Sequence, residues 1–222
     1  MSVLPQTLLF LGIIPALVLL FISLKGYDGY YKDKIVFLTF ISGIIAGFIS
    51  ILIEWYTVGV GIWFIILFPI LEQLFKTMIL NISRFHGKKE TVVYGLSLGL
   101  GFGSIFTPFS IIVTNVEGGN DFLVVLVALG SFGIILMHAA TGIGIAYGIY
   151  TYKMRKYLMF SIIVYLPVTF TIFLTALYNV GHLQVILIIY GLIVYWYTTK
   201  KIMPRILIEN KKDVKLNKIK NK

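Results

Sequence analysis

Seven long apolar runs divide this chain, each close to the ~20 residues that an α-helix needs to cross a bilayer. They cover residues 3–24, 35–55, 60–82, 91–115, 122–150, 157–178 and 181–203. Of the 222 residues, 59% are hydrophobic and 13% charged, a composition far from that of soluble domains. The sequence therefore predicts an all-α, polytopic membrane protein. Its seven transmembrane helices form a domain over residues 1–204, and a basic tail follows over residues 205–222.

The basic residues of the loops all fall on one side of these predicted helices. Loops one, three and five and the tail carry the Lys and Arg residues, whereas loops two, four and six carry none. Cytoplasmic loops are rich in Lys and Arg, so we expect the N-terminus outside and the C-terminus in the cytosol. This topology also explains the net charge of +10 without a nucleic-acid partner. Membrane lipids are the expected surroundings, and we expect the plasma membrane of a prokaryote.

One polar stretch, Leu71-Glu72-Gln73-Leu74-Phe75-Lys76, interrupts the third apolar run. A charged side chain at the centre of a membrane helix costs about 2.5 to 3.5 kcal/mol on insertion scales, and such residues usually have a function. Glu72 and Lys76 are four residues apart and so share a helix face. A second ionisable residue, His138, lies within the fifth run. The chain has no cysteine, which excludes disulfides and thiolate chemistry.

The depths of these polar residues predict that they meet. At 1.5 Å per residue, Glu72 lies ~16 Å and His138 ~20 Å from the cytosolic ends of their helices. Two interpretations follow. Glu72 could act as a general base with His138 as metal ligand or oxyanion donor, or Glu72 and Lys76 could form a buried ion pair with His138 bonded to a backbone or Thr partner.

Three glycines recur every fourth residue in the fourth run, at Gly95, Gly99 and Gly103. Small residues at this spacing let membrane helices approach closely. The glycines could pack against a helix of this chain or against a partner. Elsewhere, Glu54 is expected at the outer interface, and Thr169, Thr171, Thr175 and Gln184 are expected to hydrogen-bond across helices.

These motifs resemble those of a superfamily that joins PrsW-type intramembrane proteases, CAAX prenyl proteases and the anterior-pharynx-defective scaffold subunit of γ-secretase. Residues 72–76 look like the PrsW motif EExxK, and residues 94–102 look like its YGxxxGxGF block. His138 stands where the third motif begins. The resemblance implies an intramembrane protease or its non-catalytic relative.

The chain also departs from the protease pattern. Gln73 replaces the second glutamate, Phe106 stands where FxxxE requires an acid, and Gly142 stands where a carboxylate or amide is expected. Only Glu72 and His138 remain in the matched positions, whereas a zinc site needs three or four ligands. With these departures the chain is more similar to the γ-secretase scaffold subunit than to the proteases. The second histidine expected in the sixth span of that subunit is absent here, where Leu166 and Pro167 stand.

The sequence therefore supports two hypotheses from different classes. The first is a non-catalytic scaffold without cofactors, in which Glu72, Gln73, Lys76 and His138 form a polar network. Its partner, implied by the resemblance, is a presenilin-like intramembrane aspartyl protease. The second is an active protease with Glu72 and His138 as catalytic residues, for which zinc is possible. A transporter is disfavoured, because no charged pathway or inverted repeat is evident.

Overall fold

The computed structural model describes residues 10–113, 121–178 and 183–207, and these form a bundle of eight helices. Their bounds are α1 Phe10–Leu24, α2 Asp33–Thr57, α3 Trp63–Leu80, α4 Thr91–Ser104, α5 Phe106–Val113, α6 Asp121–Tyr150, α7 Met154–Tyr178 and α8 Gln184–Tyr197. A π-helix, Thr198–Ile202, continues α8. No strand occurs within these three ranges.

Six stretches of helix are long and apolar enough to cross a membrane among the described residues. They match predicted runs two to seven, with α4 and α5 together forming one stretch, Thr91–Ile111. The remaining helix, α1, is apolar but only 15 residues long. Its predicted span begins at residue 3, and residues 1–9 lie outside the described part.

Helix α4 is the centre of the bundle, since all of its residues are buried. It packs against α6 on one side and α2 on the other. Its small residues permit this, because Gly101 faces the backbone of Phe40 in α2 while the other glycines face α6. By contrast, only 22% of the α8 stretch is buried, which leaves its outer face to lipid.

The predicted fourth span is broken rather than continuous, because α4 ends at Ser104 and α5 begins at Phe106. Pro108 explains the break: it has no N–H to donate to the Ser104 carbonyl, four residues earlier, and its ring crowds that carbonyl. Gly12 of α1 lies against this carbonyl, where any Cβ would come within 3.0 Å. A single run of hydropathy over residues 91–115 could not show this interruption.

The basic loops and the C-terminal segment meet at one end of the bundle, which we call the basic end. The Lys32 amide donates a hydrogen bond to the Tyr94 hydroxyl at 3.2 Å, and the Arg205 guanidinium lies 5.8 Å from the Tyr147 ring. Ile206 is fully buried in the core. Residues 205–207 of the predicted tail are helical, and residues 208–222 lie outside the described part.

Candidate functional site

Helix α3 carries the polar stretch into the centre of the bundle, where Glu72, Gln73 and Lys76 are all fully buried. Within this helix, Pro69 cannot donate to the Ile65 carbonyl. The Thr169 hydroxyl of α7 donates to that carbonyl instead, at 3.0 Å. Side-chain hydroxyls commonly satisfy carbonyls freed by proline in membrane helices. This bond ties α7 to α3 and brings Tyr165, one turn before Thr169, to the polar stretch.

The Lys76 ammonium is bound by three acceptors. Its Nζ lies 3.1 Å from Gln73 Oε1, 2.8 Å from Thr141 Oγ1 and 2.8 Å from His138 Nδ1. Three acceptors match the three hydrogens of an ammonium group. The rings of Phe102 and Tyr165 lie 4.9 and 5.5 Å from Nζ and add cation–π attraction.

His138 uses both of its ring nitrogens within this network. Because an ammonium group has only donors, Nδ1 must accept from Lys76, and the ring is neutral with its hydrogen on Nε2. Nε2 then donates to the Tyr165 hydroxyl at 2.9 Å. The rings of Phe102 and Phe106 lie 4.7 and 4.9 Å from the imidazole centroid. Phe106, which replaces the acid of the protease motif, thus covers the histidine with an apolar ring.

Glu72 does not close onto Lys76 as the ion-pair interpretation expected. Its Oε1 lies 3.6 Å from His138 Nε2, too long for a hydrogen bond, and neither oxygen has a hydrogen-bond partner in the described part of the chain. The Tyr165 hydroxyl is hydrogen-bonded to His138 Nε2 at 2.9 Å. The four-residue spacing puts Glu72 and Lys76 on one face of α3. The Lys76 ammonium group nevertheless hydrogen-bonds to His138 and Thr141 of α6 and not to Glu72.

The three glycines of α4 face α6 around His138. A Cβ at Gly95 would come within 3.0 Å of Gly142 and Ala146, and one at Gly99 would meet the His138 carbonyl and Ala139. A Cβ at Gly103 would come within 3.0 Å of the Ile135 Cα. Of the two interpretations left open above, the structure shows contact with a helix of the same chain. The close approach of α4 to α6 also presses Phe102 onto His138.

Four residues of the site were missed by sequence reasoning: Thr141, Tyr165, Phe102 and Phe106. Signals existed for two of them. Thr141 follows His138 by three residues and so shares its helix face. Tyr165 lies 11 residues into α7, or ~16 Å, which is the depth of Glu72. The two phenylalanines stood in the matched motifs, but nothing in their apolar side chains indicated that they would cover His138.

The structure places Glu54 and the threonines of α7 only partly as the sequence predicted. Glu54, expected at the outer interface, is half-buried. Thr169 bonds across helices, but Thr171 and Thr175 donate to carbonyls of α7 itself.

The donors that could hold a transition metal are few. Within residues 10–113, 121–178 and 183–207, no group of three or more His, Asp or Glu side chains is placed to bind a metal ion. His138 could coordinate zinc only by giving up Lys76 or Tyr165, because a ligating nitrogen needs a free lone pair. The residues around Glu72 and His138 therefore do not fit a zinc centre.

No family model, curated protein or solved structure matches this chain.

Proposed function

We propose that this chain is a non-catalytic membrane scaffold related to PrsW-type proteases and to the γ-secretase scaffold subunit. In this proposal it has seven transmembrane helices, its N-terminus lies outside and its C-terminus in the cytosol of a prokaryote, and it supports the assembly of an intramembrane protease. The observation that carries the proposal is that His138 has no free ring nitrogen. Both nitrogens are hydrogen-bonded within the chain, and the rings of Phe102 and Phe106 cover the imidazole.

The buried polar network can fix the packing of α3, α6 and α7 in one arrangement. It joins α3, α6 and α7 through Lys76, His138 and Tyr165, all fully buried. Buried polar groups can specify a unique arrangement of helices, and here Lys76 and His138 have hydrogen-bond partners on three different helices. The apolar faces of α1, α2, α7 and α8 remain exposed to lipid and are available to a partner.

The proposed partner is a presenilin-like aspartyl protease. Its two catalytic aspartates would have to come from the partner, because the Asp residues of this chain, at positions 28, 33, 121 and 213, lie in loops, at helix starts or in the tail. The test is affinity purification in mild detergent from membranes that contain such a protease. We expect the protease to co-purify with the wild type and with Lys156→Met, an exposed control, and to be lost with Lys76→Met. A wild-type chain that purifies without the protease contradicts the proposal.

A second candidate function is a reduced intramembrane protease, and one observation favours it: both Glu72 oxygens are free of hydrogen bonds and one lies 3.6 Å from His138 Nε2. In that case Glu72 activates water and the Nε2 hydrogen stabilises the oxyanion. The test is cleavage of a membrane-embedded substrate by the purified chain. Turnover that is lost in Glu72→Gln, with the fold retained, supports this function; its absence between pH 5 and 9 excludes it.

A further inference from the structure

A groove runs between α2 and α3 on the outer surface of the bundle. Its volume is about 310 Å³, and of the seven side chains that line it only Ser42 is polar. Its rim is open, because Ile45 of α2 and Met78 of α3 are 56% and 70% exposed. Its floor is closed, since Phe75 and Ile79 pack against a cluster of the hydrophobic core. The groove therefore faces the hydrocarbon of the membrane, and none of its lining residues belongs to the polar network.

The sequence of α2 explains why this space is left open. Gly43 and Gly47 lie against the backbone of α4, where any Cβ would come within 3.0 Å, so α2 packs mainly against α4 and has few contacts with α3. Ser42 and Ala46, one position before each glycine, line the groove and are too small to fill it. The Ser42 hydroxyl donates to the Leu38 carbonyl of its own helix at 2.8 Å. The groove thus needs no polar occupant.

The size of the groove indicates the kind of occupant. A methylene group fills about as much space as a water molecule in the liquid, roughly 30 Å³, so the groove holds on the order of ten methylene groups. Along α2 it extends from Ser42 to Ile49, or about 10 Å. A specific protein interface uses about 20 to 30 residues on each side, whereas seven residues line this groove. One hydrocarbon chain fits this space better than a protein surface does.

Positive charge lies at the basic end of both helices that form the groove. The segment Lys32-Asp33-Lys34 leads into α2, Arg84 follows α3, and all of these side chains are exposed. Tyr94 brings the two segments together: its hydroxyl accepts from the Lys32 amide at 3.2 Å, and its ring lies 5.5 Å from that of Phe85, the neighbour of Arg84. Two lysines and one arginine against one aspartate leave a net positive charge. Such a charge beside transmembrane helices complements an anionic headgroup.

We propose that this groove binds one acyl chain of an anionic phospholipid whose phosphate lies at the basic end, beside Lys34 and Arg84. The chain gains packing contacts with the groove, and the charge selects the headgroup, because hydrocarbon alone gives no preference among lipids. Ser42 lies about 14 Å along α2 from Asp33, and one leaflet of hydrocarbon is about 15 Å thick, so an acyl chain reaches the groove from headgroup level. The proposal does not depend on the scaffold function.

The test is native mass spectrometry of the purified full chain in detergent micelles that contain phosphatidylglycerol or phosphatidylcholine with identical acyl chains. We expect one phosphatidylglycerol molecule to stay bound to each chain, and phosphatidylcholine to be retained about five-fold less. Equal retention of the two lipids overturns the proposal, and so does retention of neither.

Variants with matched controls assign the two parts of the site. Ser42→Phe fills the groove and should lose the lipid, whereas Ile189→Phe, which puts the same ring on the exposed face of α8, should keep it. Lys34→Gln combined with Arg84→Gln should retain both lipids equally. Lys156→Gln, at an exposed position of the basic end, should keep the preference.

Two results with these variants contradict the proposal. A Ser42→Phe chain that keeps the lipid overturns it. A Ser42→Phe chain that loses a co-purifying protein and no lipid overturns it as well, because a partner helix then occupies the groove.

If Ser42→Phe does not fold, photo-crosslinking of the wild type decides. The probe is phosphatidylglycerol with a diazirine on its acyl chain, added at a low mole fraction. We expect labelled peptides from residues 42–49 and 75–79, with labelling that unlabelled phosphatidylglycerol suppresses and phosphatidylcholine does not. Labelling confined to other helices, or not suppressed by unlabelled phosphatidylglycerol, overturns the proposal.

Discussion

Lys76 and His138, 62 residues apart in the chain, are joined by a hydrogen bond of 2.8 Å between Nζ and Nδ1 at the centre of the bundle. This bond decides the state of the whole network. It makes the imidazole a neutral acceptor, directs its Nε2 hydrogen to Tyr165, and takes the ammonium group away from Glu72.

Replacing Lys76 with methionine should destabilise the protein strongly. The change removes three donated hydrogen bonds at once and leaves Gln73 Oε1, Thr141 Oγ1 and His138 Nδ1 facing an apolar side chain. Removing one partner of a buried charge network typically costs about 3 to 5 kcal/mol. Unfolding in mixed micelles measures the difference, with the exposed Lys156→Met as control. Equal stability of the two variants would contradict the network.

Replacing Gly99 with alanine should disturb the packing of α4 on α6. The added methyl would lie within 3.0 Å of the His138 carbonyl and the Ala139 Cα, which are backbone atoms and cannot swing aside. Overpacking of this kind costs typically 1 to 3 kcal/mol. The matched control is Gly144→Ala in α6, where the nearest atom is the Ser161 hydroxyl at 3.3 Å. The Tm of the two variants gives the comparison, and a Gly99 variant as stable as the control refutes the contact.

Removing the Tyr165 hydroxyl by the change Tyr165→Phe should leave Nε2 of His138 without its acceptor. The ring is retained, so packing is preserved and the loss is that of one buried hydrogen bond, about 1 to 3 kcal/mol. Tyr178→Phe, at an exposed position of the same helix, should be neutral. The ¹⁵N shift of labelled His138 provides a direct readout, and an unchanged spectrum would place the hydrogen elsewhere.

Introducing an acid at Phe106 should create a zinc site beside Glu72 and His138. In Phe106→Glu a third donor side chain would stand beside His138 and Glu72, since the phenylalanine ring lies 4.9 Å from the imidazole. Three such ligands are the minimum for zinc. We expect zinc to raise the Tm of this variant and to leave the wild type unchanged. A wild type that zinc stabilises equally would show that phenylalanine does not block coordination.

The orientation of the chain in the membrane can be tested by cysteine labelling, because the natural sequence contains no cysteine. Gly59→Cys, in the turn between α2 and α3, should react with a membrane-impermeant maleimide in intact cells. Lys153→Cys, in the exposed turn before α7, should react only after permeabilisation. These outcomes follow from the distribution of Lys and Arg over the loops. The reverse pattern would invert the predicted topology.

Much of the site could be predicted from the sequence because depth in a membrane helix follows from residue number. The rise per residue placed Glu72, His138 and the glycines of α4 at one level, and the structure brings them into contact. Glu54 could not be placed in the same way. Its position near a helix end suited the interface and the interior equally well, and in the structure it is half-buried.

The sequence by itself determined the membrane-spanning helices, the asymmetry of the basic loops and the depth of each polar side chain, since these depend only on composition and the regular rise of a helix. The tertiary structure decided which groups bond. Lys76 hydrogen-bonds to His138 and Thr141 and not to Glu72, and the Phe106 ring packs against the imidazole. These contacts depend on how each helix is rotated and on side chains that lie far apart in the chain, so the sequence alone could not predict them.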